Sequence, residues 1–159
     1  MLILTGQRLR EWAWASRSEI DATNRLLEIP KARYKGRRDH VVPMGDDVWH
    51  EFAQLPEWTG GNDYFLFSTT KGERPVSGFT KAKERLNKVA GVKVPFRVHD
   101  FRVTCETRLA SLGFDQDSRD AVLGHAKAGL QKTYNKHQYL DEKRAALKAY
   151  AAHVLAVVR

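Results

Sequence analysis

His99-Asp100-Phe101-Arg102-Val103-Thr104-Cys105-Glu106-Thr107-Arg108-Leu109-Ala110-Ser111-Leu112 opens the second half of this chain and sets its class. Phe101, Cys105, Leu109 and Leu112 recur at four, four and three residues, the spacing of one apolar helix face. Gly113 is expected to end that helix. Asp115 then reads as the cap of a second helix, which runs to Leu123 and is stopped by Gly124, a residue suited to the left-handed backbone of a helix end. A last helix from about Leu140 carries Leu147, Tyr150, Ala151, Val154, Leu155 and Val158 as an amphipathic stripe. The second half is therefore predicted to be purely helical.

Toward the N-terminus the pattern mixes. Residues 1–15 read as one helix without a capping side chain ahead of it. Segments 25–30 and 39–44 read as two strands around the polar run 31–38, a basic hairpin. Helices are expected over 46–55 and 77–89, separated by a Gly- and Pro-containing loop at 56–63 and the apolar run 64–67. The class is mainly α with a small antiparallel β-sheet.

With 159 residues and 42% apolar side chains, the chain fits a single domain around one core. Its longest apolar stretch, 151–158, is interrupted by His153 and falls far short of the roughly 20 residues of a membrane span. No basic-then-apolar leader opens the chain and a lone cysteine, Cys105, makes no internal disulfide, so a reducing, cytoplasmic setting is expected. The 27 Lys and Arg outnumber the 19 Asp and Glu, giving a net charge of +8, the balance of a chain that meets a polyanion.

Several polar residues stand at spacings that can carry chemistry. His99 and Arg102, three apart, share one side of a helix and can hold an anion; the plainer reading pairs Arg102 with Glu106. Arg8 and Glu11 form a similar pair, Lys35 lies in the basic run, His125 follows a helix end, and Tyr134 lies nine residues beyond it. Each has an ordinary alternative: a surface ion pair, a solvated turn, a loop histidine, a core aromatic. The six histidines and one cysteine show no zinc-ligand spacing, and no carboxylate cluster suggests a two-metal site, so no cofactor or metal is expected.

The ordered set resembles the tyrosine recombinase family. Its elements are Thr5-Gly6-Gln7-Arg8-Leu9-Arg10-Glu11, a hairpin lysine, HxxR, Leu123-Gly124-His125, and a tyrosine nine residues on. Tyr134-Asn135-Lys136-His137-Gln138-Tyr139-Leu140-Asp141-Glu142-Lys143-Arg144-Ala145-Ala146-Leu147 is similar to the prophage and genomic-island integrase branch, and the likeness spans nearly all of the chain. The resemblance implies that Arg8 and Arg102 are the catalytic arginines, Lys35 the catalytic lysine, and His99 the histidine of the HxxR pair. It places His125 at the family's His or Trp position and makes Tyr134 the nucleophile, with Glu11 a supporting acid. Tyr139 is the rival tyrosine, disfavoured by its spacing from His125, and His137 is given a structural or DNA-contact role. Arg17 stands where the branch usually has tryptophan, and Tyr34 where threonine is usual.

The resemblance further implies site-specific recombination, the integration or excision of a prophage or genomic island, through a 3′-phosphotyrosyl intermediate. Double-stranded DNA is the implied partner, with a tetramer of subunits on two duplexes, a monomer in isolation, and a bacterial, nucleoid-associated setting. On this reading, residues 1–159 are a C-terminal catalytic domain that lacks the family's N-terminal DNA-binding domains and first catalytic-domain helix, and the isolated fragment is weakly active or inactive. The alternative is a catalytically inactive remnant or regulator that binds DNA or other recombinase subunits. A type IB topoisomerase shares the chemistry, but the segment after Tyr134 argues against it.

Overall fold

The computed structural model describes residues 1–58, 63–91, 93–125 and 139–158. The expected single N-terminal helix is two short ones, α1 (Leu2–Thr5) and α2 (Leu9–Ala13). The break is at Gly6, whose φ of 62° is left-handed backbone, and whose missing side chain leaves room for Cys105: a Cβ there would stand 2.6 Å from Sγ. Burial pushes that thiol up to about 12. The chain runs extended through Arg8, and Glu11 Oε2 accepts from the Arg8 backbone N–H at 2.7 Å, so α2 restarts with an acidic group on a free donor.

A three-stranded antiparallel sheet follows, in the order β1 (Ile20–Asp21), β2 (Leu26–Ile29), β3 (His40–Pro43). Leu27 faces Val42 and Ile29 faces His40, so β2 and β3 form the expected hairpin. β1, unforeseen in the sequence, is only two residues long and owes its place to a tight turn in which Asp21 Oδ1 accepts from Asn24 N at 2.9 Å and Arg25 takes a φ of 53°. Beyond the sheet come α3 (Asp46–Ala53), α4 (Phe79–Val89), α5 (Asp100–Ser111), α6 (Gln116–Leu123) and α7 (Leu140–Val158). Asp115 caps α6 as expected, accepting from Ser118 N at 2.7 Å, and Gly124 ends it at a φ of 62°.

One core joins these elements: Trp12 from α2, Leu27, Ile29 and Val42 from the sheet, Cys105 and Leu109 from α5, Val122 and Leu123 from α6, and Leu147 and Tyr150 from α7. Two apolar stripes are shorter than expected. Leu112 is 42% exposed because α5 ends at Ser111 and the chain turns away through Gly113, at a φ of 86°. The buried face of α5 instead begins with Arg102. On α7, Leu147, Tyr150 and Ala151 are buried, but Val158 is 72% exposed, so the helix outruns the core. Lys143 is buried on the same helix, its Nζ donating to Val41 O at 2.9 Å. No helix among the described residues is long and apolar enough to cross a membrane.

Candidate active site

Arg102 sits in the first turn of α5 and is buried. Its Nη1 donates to Gly6 O at 3.2 Å and its Nη2 to Leu123 O. One side chain therefore ties α5 to the turn before Arg8 and to the end of α6. The pairing with Glu106 does not form; Glu106 accepts from Arg119 Nε at 3.0 Å. A guanidinium presents five N–H donors in a rigid fork, so two bonds to carbonyls leave others for an anion.

Arg8 enters beside it. Nη1 meets Glu11 Oε1 at 2.8 Å and donates to the Tyr34 hydroxyl at 3.2 Å, and the guanidinium lies 5.4 Å from the Tyr34 ring centre. Burial works against its charge, but the bonds to Glu11 and Tyr34 outweigh it, and the Arg8 pKa is raised. Arg102 moves the other way, lowered first by burial and then by the positive charge of Arg8. Two like charges held this close, each fastened by neutral or acidic groups, form a cationic spot ready for an anion.

Lys35 lies, exposed, in the loop between β2 and β3. The loop is fastened on both sides of it. Arg33 pairs with Glu19 and donates to the carbonyls of Arg10 and Glu11 at 3.1 Å each. Tyr34 is buried, stacks on His40 at 4.9 Å, and donates its hydroxyl proton to Gly124 O at 2.5 Å. Arg38 Nη2 reaches His125 O at 2.5 Å. Lys35 thus projects from a foot anchored to α2 and to the end of α6.

His125 follows the left-handed Gly124. Its backbone N–H bonds Asp120 O at 2.8 Å and its Nδ1 lies 3.1 Å from Asp120 Oδ1, leaving Nε2 pointing away from that tether. His99 is the exposed N-cap of α5, one turn before Arg102, with no side-chain capping bond. Tyr134 and His137 lie outside the described residues.

The structure therefore links Arg8 to the end of α6 through Tyr34, the residue before Lys35, links Arg102 to that same end and to the turn before Arg8, and sets His99 at the Arg102 end of α5; the partners that carry these links belong to the neighbours of Lys35 and His125. Four further residues of the site, Tyr34, Gln7, His40 and Asp120, belong to none of the catalytic positions that the motifs mark. Gln7 Nε2 donates to Thr5 O and Val122 O at 2.9 Å each, and its Oε1 lies 3.1 Å from His40 Nε2. Burial, then the charges of Lys143, Arg102, Arg38 and Arg8, hold His40 well below the usual histidine range. These residues sit beneath the cationic spot rather than in it. Of these only His40, ahead of Val41 and Val42, carries a signal in the sequence, a polar residue opening an apolar run. No group of three or more His, Cys, Asp or Glu among the described residues could hold a metal ion.

The profile of the Phage integrase family matches residues 1–140. Prophage integrase IntA of Escherichia coli (strain K12) is 31% identical over 151 residues, which cover 94% of this chain and 36% of that protein. Among solved structures, the Tn1549 transposon integrase in complex with transposon right end DNA superposes with a TM-score of 0.56 at 20% identity, covering 93% of this chain and 56% of that one. XerA recombinase gives a TM-score of 0.59 at 18% identity, covering 96% and 55%. At those identities the likeness establishes the fold. The chain spans 36% to 38% of the length of the first curated relatives it matches.

Proposed function

Because this chain belongs to the phage integrase family, we infer that residues 1–159 form the catalytic domain of a tyrosine recombinase that cuts and rejoins DNA through Tyr134. The observation that carries this reading is the bond of Arg102 to Gly6 O, two residues before Arg8, with Arg8 and the His125 turn joined to the Lys35 loop through Tyr34.

Attack on a phosphodiester builds negative charge on the nonbridging oxygens, and preplaced donors stabilise it most. Arg8 and Arg102 supply two permanently charged forks for those oxygens. A tyrosine hydroxyl is mostly protonated at neutral pH, so the phenol of Tyr134 passes its proton to His99 as its oxygen bonds to phosphorus. The bond from phosphorus to the 5′ oxygen breaks, and Lys35 gives that oxygen a proton. His125 hydrogen-bonds a phosphate oxygen. The products are a 3′-phosphotyrosine and a 5′ hydroxyl. A 5′ hydroxyl from another strand reverses the same steps, with no external energy source.

The net charge of +8 suits a double-stranded DNA partner, and four such subunits on two duplexes would exchange strands in a prophage or genomic island. A bacterial, cytoplasmic, nucleoid-associated setting goes with that role. Alone in solution the chain should be a monomer, which light scattering checks.

The decisive experiment incubates the full-length protein with a pool of nicked duplexes of randomised sequence. A covalent protein–DNA adduct that disappears in Tyr134→Phe is expected. DNA binding without any adduct would favour a non-enzymatic regulator, and an adduct that survives Tyr134→Phe would overturn the assignment of the nucleophile.

A further inference from the structure

We propose that Tyr34 is a positioning residue of this active site, locking the root of Lys35 and the guanidinium of Arg8 to the turn that carries His125. The inference rests on the recombinase reading above and adds to it a residue outside the cationic set.

The phenol sits in a slot cut for it. A Cβ on Gly36 would stand 2.5 Å from its Cε1, and a Cβ on Gly124 would collide with its hydroxyl oxygen, so both flanking residues leave their space to the ring. His40 covers one face of that ring at 4.9 Å, with planes 22° apart. The hydroxyl then serves two elements at once: its proton goes to Gly124 O at 2.5 Å and its lone pair takes Arg8 Nη1 at 3.2 Å. A hydroxyl offers one donor and acceptor lone pairs, so both bonds hold together.

The consequence falls on Lys35, the next residue along the chain. Its side chain is exposed, so its aim at the leaving oxygen depends on how firmly its backbone is held. With the hydroxyl gone, Arg8 keeps Glu11 but loses its second tether, and the loop is left with the Arg38 bond to His125 O alone at the end of α6. Slack of about 1 Å in a catalytic group is enough to cost on the order of 10²-fold in rate.

The test uses Tyr34→Phe in the full-length protein, which keeps the ring and removes only the oxygen. Two nicked substrates carry the cleaved sequence recovered from the adduct, one with the normal 5′ oxygen leaving group and one with sulfur in its place. A thiolate departs without a proton, so it bypasses the general acid. Tyr34→Phe is expected to bind the duplex as wild type does, to cleave the oxygen substrate at least about tenfold more slowly, and to recover at least half of that loss on the sulfur substrate. Unchanged cleavage of both substrates overturns the proposal, and so does equal slowing on both or a loss confined to DNA affinity. If Tyr34→Phe does not fold, Tyr34→Met fills the same slot without a hydroxyl and is read the same way. Failure of wild type to form any adduct sinks the recombinase reading and this proposal with it. Adduct formation by wild type together with an indifferent Tyr34→Phe sinks this proposal alone.

Discussion

Arg102 donates to the carbonyl oxygen of Gly6, so the helix that carries HxxR is bolted to the turn that presents Arg8. The same guanidinium bonds Leu123 O at the end of α6. A lysine in its place has one nitrogen on a flexible stem and cannot span both carbonyls. Arg102→Lys should lower stability by about 1–3 kcal/mol, the range for a buried group left unpaired, and reduce adduct formation by about 10²–10³-fold. Arg8→Lys, at a partly exposed position, should lose activity with little change in stability. Urea denaturation beside adduct trapping separates the two, and equal stability loss in both variants would contradict the difference in their settings.

Gly124 and Gly113 both take left-handed backbone, at φ of 62° and 86°, but only Gly124 is crowded. Gly113→Ala meets nothing within 4 Å and should cost about 1 kcal/mol for its backbone alone. Gly124→Ala strikes the Tyr34 hydroxyl and should cost at least about 1–3 kcal/mol more, as overpacking does. Thermal unfolding of the two variants side by side decides it. Similar melting temperatures would mean that the turn gives way cheaply.

Lys143 is fully buried with its Nζ on Val41 O, and burial followed by the charge of Arg38 lowers its pKa to about 8. A base with a depressed folded pKa penalises the native state while it is protonated. The penalty is full below about 8 and fades as pH rises toward the free value of 10.5, because in that window the unfolded chain binds more protons. Wild type should therefore gain stability relative to Lys143→Met between pH 8 and 10.5. A difference in melting temperature that stays constant across that window would show that the ammonium is better solvated than its burial indicates.

Asp120 holds His125 Nδ1 at 3.1 Å. An amide cannot stabilise a charged imidazole as a carboxylate does, and it can turn its NH₂ toward the ring. Asp120→Asn should slow adduct formation by roughly tenfold, the low end for a supporting partner of a catalytic histidine, while leaving the melting temperature within a few degrees. Added to His125→Ala, Asp120→Asn should deepen the loss little. Fully additive losses would separate the two residues.

Much of this architecture could be read from residue patterns. The hairpin, the α6 cap at Asp115 and the stop at Gly124 follow from local chemistry acting within a few residues, and all three stand. The break in the N-terminal helix is not legible locally, because Gly6 is compatible with a helix interior at modest cost; only its contact with Cys105, far along the chain, demands the break. Leu112 and Val158 fit their stripes by spacing, but spacing carries no information on where a core ends.

The site divides along the same line. Arg8, Lys35, Arg102 and His125 belong to ordered motifs and could be named in advance. Tyr34, His40, Gln7 and Lys143 could not, because each acts through bonds to residues distant in sequence: Gly124, Gln7, Val122 and Val41. Arg102 showed the limit most clearly, since its obvious helical neighbour Glu106 is taken by Arg119.

Cys105 packs under Gly6 with its thiol buried and hard to ionise. Alkylating reagents attack the thiolate, so the closed molecule should resist them almost completely. Labelling then requires α5 to lift from the Gly6 turn, which is also the motion that would pull Arg102 off its carbonyl. The rate of alkylation under native conditions is a clock for that local opening, and a DNA ligand that clamps the two arginines together should slow it.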